Sequence, residues 1–192
     1  MGSESETFGL IKPDGIKRGK TPSIIAFIMQ NGFRITEAKW VILTPEEAEE
    51  LCPYHFGWLE VVGNKVIKNC TKGGIDPKTH FGSGYDSAIA LGKIVRQWNV
   101  SYLSEKPVCF RGIKGVNGNT PEEFRKFVGE TDEWDKNTVR GLFRDPEETI
   151  VRATIEQRTY QNVIHVPDPE RIAFEKAIIL GAKAIHVIKP EE

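Results

Sequence analysis

The sequence predicts an α+β fold, with a four-stranded antiparallel sheet of the ferredoxin-like (split βαβ) type and helices on one face. Two observations lead to this prediction. When two irregular stretches are set aside, segments with strand and helix patterns follow one another in the order β-α-β-α-α-β-α-β-α. The chain has 192 residues, of which 39% are hydrophobic and 28% charged, and this suits one domain with a buried core. We therefore expect a single domain spanning residues 1–192.

The first half of the chain predicts two strands, each followed by a helix. Residues 7–12 alternate enough for a strand. Thr21 and the proline after it supply an N-cap and a first turn, which predict a helix over residues 23–30. A second strand is predicted over residues 33–43, and Thr44 opens the next helix with the same threonine–proline pair.

The second half begins with a stretch rich in glycine, lysine and asparagine, residues 56–84, which we interpret as an inserted excursion. A helix is then predicted over residues 85–98 and a strand over residues 107–113. Thr120 repeats the threonine–proline start and opens a helix that ends before Gly129. The last three predicted elements are a strand over residues 162–166, a helix over residues 168–180 and a short strand over residues 184–188.

Composition excludes several classes of protein. The formal charge of −1 provides no bulk basic field, so we expect no specific nucleic-acid partner and only a local anion site. The three cysteines are odd in number and lack metal-ligand spacing, which favours a reducing compartment. Residues 1–6 are too polar for a signal peptide, and no apolar run approaches the roughly 20 residues of a membrane span. We therefore expect a cytoplasmic protein with no membrane partner.

One glycine-rich segment follows a strand and precedes a helix, as a phosphate-binding loop does. Its sequence from Gly15 to Thr21 is GIKRGKT, one residue shorter than the G-x-x-x-x-G-K-[ST] loop. The loop length decides which backbone amides meet at the phosphates, so the missing residue matters. A P-loop NTPase is therefore an alternative interpretation, and a basic turn before a capped helix is the simpler one.

Four short motifs, spread along the chain, contain residue types that suit a phosphate-binding site. In Lys12–Gly15, the proline favours an extended backbone at the lysine, which ends a strand, and the Asp-Gly pair that follows favours a turn. In Arg125–Thr131, the arginine and the threonine flank the glycine that ends a helix, so both can reach one anion. Thr138–Gly141 offers a second guanidinium, a group that matches phosphate oxygens bidentately. Asn162–His165 adds an imidazole, which is a good nucleophile when neutral.

With these motifs in this order, the chain resembles the nucleoside diphosphate kinase family over most of residues 7–180. The family pattern is K-P-D-G, then R-x-x-x-G-x-T, an arginine in T-[IV]-R-G, and N-x-x-H. The resemblance implies an enzyme that moves the γ-phosphate of ATP or another nucleoside triphosphate to a nucleoside diphosphate in a ping-pong cycle. It also implies Mg²⁺ carried by the nucleotide phosphates, without metal ligands from the protein. A symmetric oligomer built from trimers, either a trimer or a hexamer, is expected as well.

The resemblance implies a role for each matching residue. His165 would accept the phosphoryl group, Lys12 would reach the ribose hydroxyl and the transferring phosphoryl, and Asn162 would bind the ribose. The phosphates would be held by Arg125, Thr131 and Arg140. Because a transferring phosphoryl spreads its charge over several oxygens, such a site works mainly by alignment and cationic stabilisation.

The chain departs from the family just after the nucleophile. The family reads H-G-S-D-S there, whereas this chain reads H-V-P-D-P from His165, so that Pro167 replaces a serine. Glu175 is the nearest candidate for the helix glutamate that holds the non-attacking ring nitrogen, about one residue out of register. Asp168 could bind magnesium through water or cap the helix that follows it, and capping is the expected role.

Two stretches exceed the family's length, and we predict insertions at about residues 56–84 and 144–156. The first falls where the family has the phenylalanine that stacks on the base. Phe56, Phe81 and Tyr85 are then unranked candidates for that contact.

Three functions follow from these observations. The first is an active nucleoside diphosphate kinase. The second is a catalytically weak nucleotide-binding regulatory relative, which the lost serine and the displaced glutamate make plausible. The third is the P-loop NTPase. The first is favoured by the presence of His165, Lys12, Arg125 and Arg140, because a protein that only binds nucleotides has no need of the nucleophile.

Overall fold

A computed structural model of the chain describes residues 6–82, 85, 87–115, 121–131 and 134–184. The strands in these ranges are β1 (Thr7–Ile11), β2 (Phe33–Ile42), β3 (Val108–Gly115), β4 (Ile164–His165) and β5 (Lys183–Ala184). They form one sheet in the order β4-β1-β3-β2-β5, with antiparallel pairing throughout. The predicted α+β fold with an antiparallel sheet is confirmed, but the sheet has five strands rather than four, with β5 beside β2. The strand predicted over residues 184–188 lies, beyond residue 184, outside the described residues.

Helices connect and cover these strands. They are α1 (Pro13–Lys17), α2 (Thr21–Gln30), α3 (Pro45–Leu51), α4 (Phe56–Lys72), α5 (Pro77–Phe81), α6 (Ala88–Ser104), α7 (Pro121–Val128), α8 (Val139–Phe143), α9 (Ile150–Ile155) and α10 (Ile172–Gly181), with a 3₁₀ turn at Pro169–Arg171 before α10. The sequence patterns predicted α2, α3, α6, α7 and α10. The other helices lie in segments that were interpreted as turns or irregular excursions.

Both faces of the sheet are covered, so the expectation of helices on one face was wrong. Phe8 and Leu10 of β1 pack in a core with α3, α6 and α10. Ile11 of β1 and Cys109 of β3 pack in a second core with α2 and α7. Successive side chains of a strand point to opposite faces, so these cores lie on the two sides of the sheet. All residues of β1 are buried, so the side chains on both of its faces pack against other elements.

Two of the three predicted threonine–proline pairs behave differently at the start of their helices, and the third, at Thr120, lies outside the described residues. Thr44 caps α3 as predicted, and its side chain and that of Glu47 form a reciprocal capping box. Thr21, in contrast, is the first residue inside α2 rather than its N-cap. Lys20 already has helical dihedral angles, and it directly follows Gly19, whose φ is +64°. Within the described ranges, the buried Thr21 Oγ1 has no hydrogen-bond partner.

The segment interpreted as an excursion, residues 56–84, contains a long helix that lies against α6. The two backbones touch, because a Cβ on Gly63 would lie 1.7 Å from the carbonyl oxygen of Ala88. A Cβ on Gly92 would lie 2.1 Å from the carbonyl oxygen of Leu59. The glycines that weaken the helical pattern in the sequence are therefore the residues that permit this close contact.

The second excursion, residues 144–156, contains α9, which packs on α4. Asn69 Nδ2 of α4 donates a hydrogen bond to Thr154 Oγ1 of α9 at 3.3 Å. The two predicted excursions therefore fold together, one against the other. Across the described ranges, no helix combines the length and the apolar character that crossing a membrane requires.

Candidate active site

Asn162 and His165 line the same cavity because the chain breaks its strand between them. Residues three apart in a regular strand face opposite sides. Val163 has a φ of +59°, and the Ile164 amide donates to the Asn162 carbonyl at 2.8 Å, which closes a γ-turn. A positive φ is strained for a β-branched residue and costs roughly 1–3 kcal/mol. This turn brings both side chains to one side.

Hydrogen bonds from two distant parts of the chain hold the γ-turn. The Lys12 amide donates to the Val163 carbonyl at 2.8 Å, and the Val163 amide donates to Asp14 Oδ2 at 2.9 Å. The Tyr102 hydroxyl donates to Asp14 Oδ1 at 2.5 Å and accepts from the Asp14 amide at 2.8 Å. A hydrogen bond to a charged group contributes roughly 1.5–3 kcal/mol, which is similar to the strain at Val163.

His165 is oriented by a buried carboxylate from α10. Its Nε2 lies 2.7 Å from Glu175 Oε2, and the other oxygen of Glu175 accepts from Arg171 Nε at 2.7 Å. Burial on its own raises the pKa of Glu175, but the hydrogen bond from His165 and the Arg171 guanidinium outweigh it, so this pKa is lowered. An ionised carboxylate only accepts hydrogen bonds, so the proton sits on Nε2 and Nδ1 keeps its lone pair.

Lys12 stands at the end of β1, as the proline after it predicts. Its Nζ donates to Asn162 Oδ1 at 2.7 Å, which joins the first and last of the four motifs. Burial, followed by the charge of Arg140, lowers the pKa of Lys12 to about 8. The ammonium group therefore lies in a place where an added negative charge would stabilise it.

Arg140 is held in place by two backbone carbonyls, one of them in the residue just before His165. It lies in the first turn of α8, where Thr138 Oγ1 accepts from the Gly141 amide at 3.1 Å and caps the helix. Its NH1 donates to the Gly129 carbonyl at 2.7 Å, and its NH2 donates to the Ile164 carbonyl at 3.2 Å. Burial, followed by the charge of Arg125, lowers the pKa of Arg140 to about 10. Because the guanidinium groups of Arg125 and Arg140 repel each other, an anion bound between them is favoured.

Arg125 and Asp168 form an ion pair at the open side of the site. Arg125 NH1 lies 2.7 Å from Asp168 Oδ1, and both side chains are 46% exposed. Within the described residues, Asp168 makes no side-chain hydrogen bond to cap the 3₁₀ turn after it, so the expected capping role was wrong. Exposed ion pairs contribute only about 0–1 kcal/mol, and an anion can therefore replace Asp168 on Arg125.

The predicted residues converge on one cavity of about 380 Å³. Those that line it are Lys12, Arg125, Thr131, Arg140, Asn162, His165 and Asp168. Glu175 lies behind the ring of His165 and holds it. A cavity of this size suits a small-molecule ligand. The segment from Gly15 to Thr21 instead forms the end of α1 and the link to α2, so the arrangement does not favour a P-loop.

The cavity continues between α4 and α6, where sequence reasoning missed the contacts. Trp58 and Val62 of α4 and Val95 and Trp98 of α6 line this part. The three residues predicted as candidates for base stacking are not among those that line the cavity. Phe56 is 74% exposed to solvent. Phe81 and Tyr85 pack in a cluster against buried residues of α4 and α6.

A helical spacing would have revealed this wall. The α4 residues that line the cavity are Trp58, Val62, Lys65, Val66 and Asn69. Apart from the adjacent pair Lys65 and Val66, they recur every three or four positions, which is the pattern of one helix face. The signal was present in the sequence, but the interpretation of this stretch as an irregular excursion concealed it.

Arg158 is a further cation at the cavity that the sequence did not single out. Its guanidinium makes two bonds of 2.7 Å to the two carboxylate oxygens of Glu148, whose side chain is 6% exposed. Glu148 Oε1 also accepts from the Gln161 amide at 2.9 Å. The pair therefore holds the segment just before Asn162, and Glu148 neutralises the arginine.

Comparisons with known proteins agree with this geometry. The sequence profile of the family described as nucleoside diphosphate kinase matches residues 5–73. A nucleoside diphosphate kinase of Pyrobaculum aerophilum is 30% identical over 165 residues, covering 85% of this chain and 87% of that protein. One of Ignicoccus hospitalis is 29% identical, covering 89% of this chain and 85% of that protein. A crystal structure of an NDP kinase from Pyrobaculum aerophilum superimposes with a TM-score of 0.80 at 29% identity, covering 91% of this chain and 94% of that one.

Proposed function

Because the chain belongs to the nucleoside diphosphate kinase family of phosphotransferases, we propose that it transfers the γ-phosphate of a nucleoside triphosphate to a nucleoside diphosphate through a phosphohistidine at His165. One observation carries this proposal, namely that His165 shares a cavity with Lys12, Arg125 and Arg140. A site that only binds nucleotides needs the cations, but it does not need a histidine held by a buried carboxylate. The arrangement therefore favours an active enzyme over a regulatory relative.

The reaction proceeds in two half-reactions at one ring nitrogen. The lone pair on Nδ1 of His165 attacks the γ-phosphorus, and the bond from that phosphorus to the bridging oxygen breaks. The nucleoside diphosphate leaves with the electron pair. A terminal phosphate oxygen of the acceptor diphosphate then attacks the phosphorus, and the nitrogen–phosphorus electrons return to Nδ1. Glu175 accepts the hydrogen bond from Nε2 throughout and stabilises positive charge that develops on the ring.

The cations of the cavity align the phosphates and stabilise the transferring group. Arg125, Thr131 and Arg140 hold the phosphates in this proposal, and Arg125 exchanges Asp168 for a phosphate oxygen. Lys12 reaches the transferring phosphoryl group. Since the transition state spreads charge over several oxygens, several fixed donors stabilise it more than a single donor would.

The nucleoside lies toward the wall formed by α4 and α6. Lys12 and Asn162 are already hydrogen-bonded to each other and together face the ribose in this proposal. The aromatic rings of Trp58 and Trp98 offer faces against which a base can stack. Stacking does not distinguish bases strongly, so broad nucleotide specificity is expected.

Mg²⁺ enters as part of the nucleotide substrate in this proposal. Among the described residues, no group of three or more His, Cys, Asp and Glu side chains is placed to hold a metal ion. Asp168 and Glu130 are carboxylates at the cavity, which suits water-mediated contact with an ion that the phosphates already hold.

The remaining features of the proposal come from the sequence and from the family resemblance. We propose one domain over residues 1–192, with insertions at about residues 56–84 and 144–156. The assembly is a symmetric oligomer built from trimers, and the compartment is the cytoplasm. Light scattering of the purified chain would measure the mass, and a monomer would contradict the oligomer.

Phosphoenzyme formation tests the function directly. The protein is incubated with γ-labelled ATP and Mg²⁺, and an acid-labile, alkali-stable label is expected that any nucleoside diphosphate discharges. His165→Ala should abolish the label, and His80→Ala, a matched histidine substitution on α5, should keep it. Label that survives in His165→Ala would refute the assignment of the nucleophile. A wild-type protein that binds ATP without becoming labelled would instead support the regulatory relative.

A further inference from the structure

Asp14 and Tyr102 have no part in the chemistry proposed above, yet they connect directly to the segment that carries the nucleophile. Asp14 is 5% exposed, and its two carboxylate oxygens face different partners. One oxygen accepts from the Val163 amide and the other from the Tyr102 hydroxyl. The three residues therefore link α1, α6 and the γ-turn in one chain of hydrogen bonds.

The γ-turn needs such support. An unconstrained β-branched residue favours an extended backbone conformation, and an extended Val163 would restore the alternation of side chains along the strand. Asn162 and His165 would then point to opposite sides. The conformation that brings them to one cavity is the one that Val163 disfavours, so something outside the turn has to hold it.

The packing around Asp14 leaves it little freedom to move. A Cβ on Gly15 would lie 3.2 Å from the Val163 carbonyl oxygen and 3.1 Å from a side-chain carbon of Ile11, so the α1 backbone rests directly on the turn. The Asp14 amide also donates to the Tyr102 hydroxyl, so Tyr102 holds both the backbone and the carboxylate of Asp14. The acceptor for the Val163 amide is therefore fixed in place from α6.

We propose that Asp14 and Tyr102 are positioning residues that hold Val163 in its left-handed conformation and so turn His165 and Asn162 toward the same bound nucleotide. The inference rests on the phosphohistidine function proposed above. It assigns a role in the reaction to the acidic residue of Lys12–Gly15 and to Tyr102 of α6, which itself lines the cavity.

Kinetic measurements test the positioning role. The rate of phosphohistidine formation is measured at saturating ATP, together with the affinity for ADP. Asp14→Ala is expected to lower the rate on the order of 10- to 100-fold, the scale of a displaced reacting group, and Tyr102→Phe to lower it less. ADP affinity should change little in both, because the arginines remain. Asp76→Ala, at the cap of α5, and Tyr85→Phe are the matched controls and should keep the wild-type rate. A normal rate in Asp14→Ala would overturn the proposal.

Hydrogen–deuterium exchange of the ligand-free protein provides a readout that does not depend on activity. Asp14→Ala should speed exchange in residues 162–166, while β1 stays protected. Unchanged exchange there would overturn the proposal even if the rate fell. If the wild-type protein forms no phosphohistidine, the proposed function fails. Exchange then still decides whether Asp14 holds the turn.

A double substitution separates this role from a general structural one. Glycine adopts a positive φ without strain, so Val163→Gly removes most of the bias that Asp14 has to overcome. Asp14→Ala should therefore reduce the rate by a smaller factor in the Val163→Gly background than in the wild type. Rate losses that simply multiply would show that the two residues act independently, which would contradict the proposal.

Discussion

Lys12 carries its charge in surroundings that disfavour it. Burial, followed by the charge of Arg140, lowers the pKa of Lys12 to about 8. A lysine with a depressed pKa loses its proton as the pH rises through that value, so Lys12 is charged below about pH 8 and neutral above it. In the site proposed here, the charged form is the one that meets a phosphate.

The expected consequence is a basic limb in the pH profile. The value of kcat/KM for ATP should fall above about pH 8, because kcat/KM reports ionisations of the free enzyme. Lys12→Arg should move this limb to higher pH, and Lys12→Gln should remove it while lowering kcat/KM at every pH. Steady-state rates across this range provide the measurement. The same limb in Lys12→Gln would assign the ionisation to another group.

Arg125 and Arg140 differ in how the chain holds them. Arg140 donates to two backbone carbonyls, whereas Arg125 pairs with the exposed Asp168. Either substitution by alanine should lower kcat on the order of 10²–10³-fold, the scale for removing one preorganised donor to developing charge. Arg152→Ala is the matched control, because the ion pairs of Arg152 with Glu147 and Glu156 are exposed to solvent. Near-normal turnover in Arg125→Ala or Arg140→Ala would exclude that arginine from the site.

At the scale of elements, the contact between α4 and α6 builds one wall of the cavity. Gly63 and Gly92 allow the two backbones to touch, and the face of α4 that carries Trp58 is placed by this contact. The shape of the cavity at the proposed nucleoside end therefore depends on these two glycines. This relation explains why a stretch with a weak helical pattern forms an ordered helix in the structure.

Substitution of Gly92 tests this packing. A Cβ there would lie 2.1 Å from the Leu59 carbonyl oxygen, so Gly92→Ala forces the helices apart. Overpacking of this kind costs about 1–3 kcal/mol, which outweighs the gain of up to about 1 kcal/mol in helix propensity. Thermal unfolding should show a lower Tm. The control is Gly57→Ala in α4, whose Cβ would be 3.7 Å from His55 Nδ1. An equal Tm for the two variants would contradict the close packing.

The whole molecule has a formal charge of −1, but the cavity collects cations from several elements. Lys12 comes from the end of β1, Arg125 from α7 and Arg140 from α8. Concentrating like charges in one place opposes folding unless a ligand neutralises them. Nucleotide binding should therefore stabilise the folded chain.

The stabilisation can be measured as a shift in Tm. ADP at 100 times its Kd should add about 2.7 kcal/mol, which corresponds to roughly 5–11 °C for a chain of this size. Arg140→Ala should show a smaller shift at the same ADP concentration, and Arg152→Ala should keep the full shift. Differential scanning calorimetry distinguishes these outcomes. An equal shift in Arg140→Ala would place ADP outside the cavity.

Much of the fold and of the site could be predicted from local patterns. Strand patterns predicted β1 to β3, and a threonine–proline pair predicted the start of α3. The four motifs predicted side chains that the structure brings to one cavity, because each motif places its side chain at the end of a strand or helix. The choice of Glu175 followed from its distance along the chain, and the structure puts it on Nε2 of His165.

The sequence by itself determined the antiparallel α+β framework and the set of side chains at the proposed phosphate end of the cavity, since these depend on periodicity and on motifs a few residues long. The tertiary structure alone decided that Asp168 pairs with Arg125, that α4 supplies a wall of the cavity, and that Tyr102 reaches Asp14. The physical reason is that these contacts join residues far apart in the chain. Their distances depend on how whole helices pack against the sheet, which no local pattern specifies.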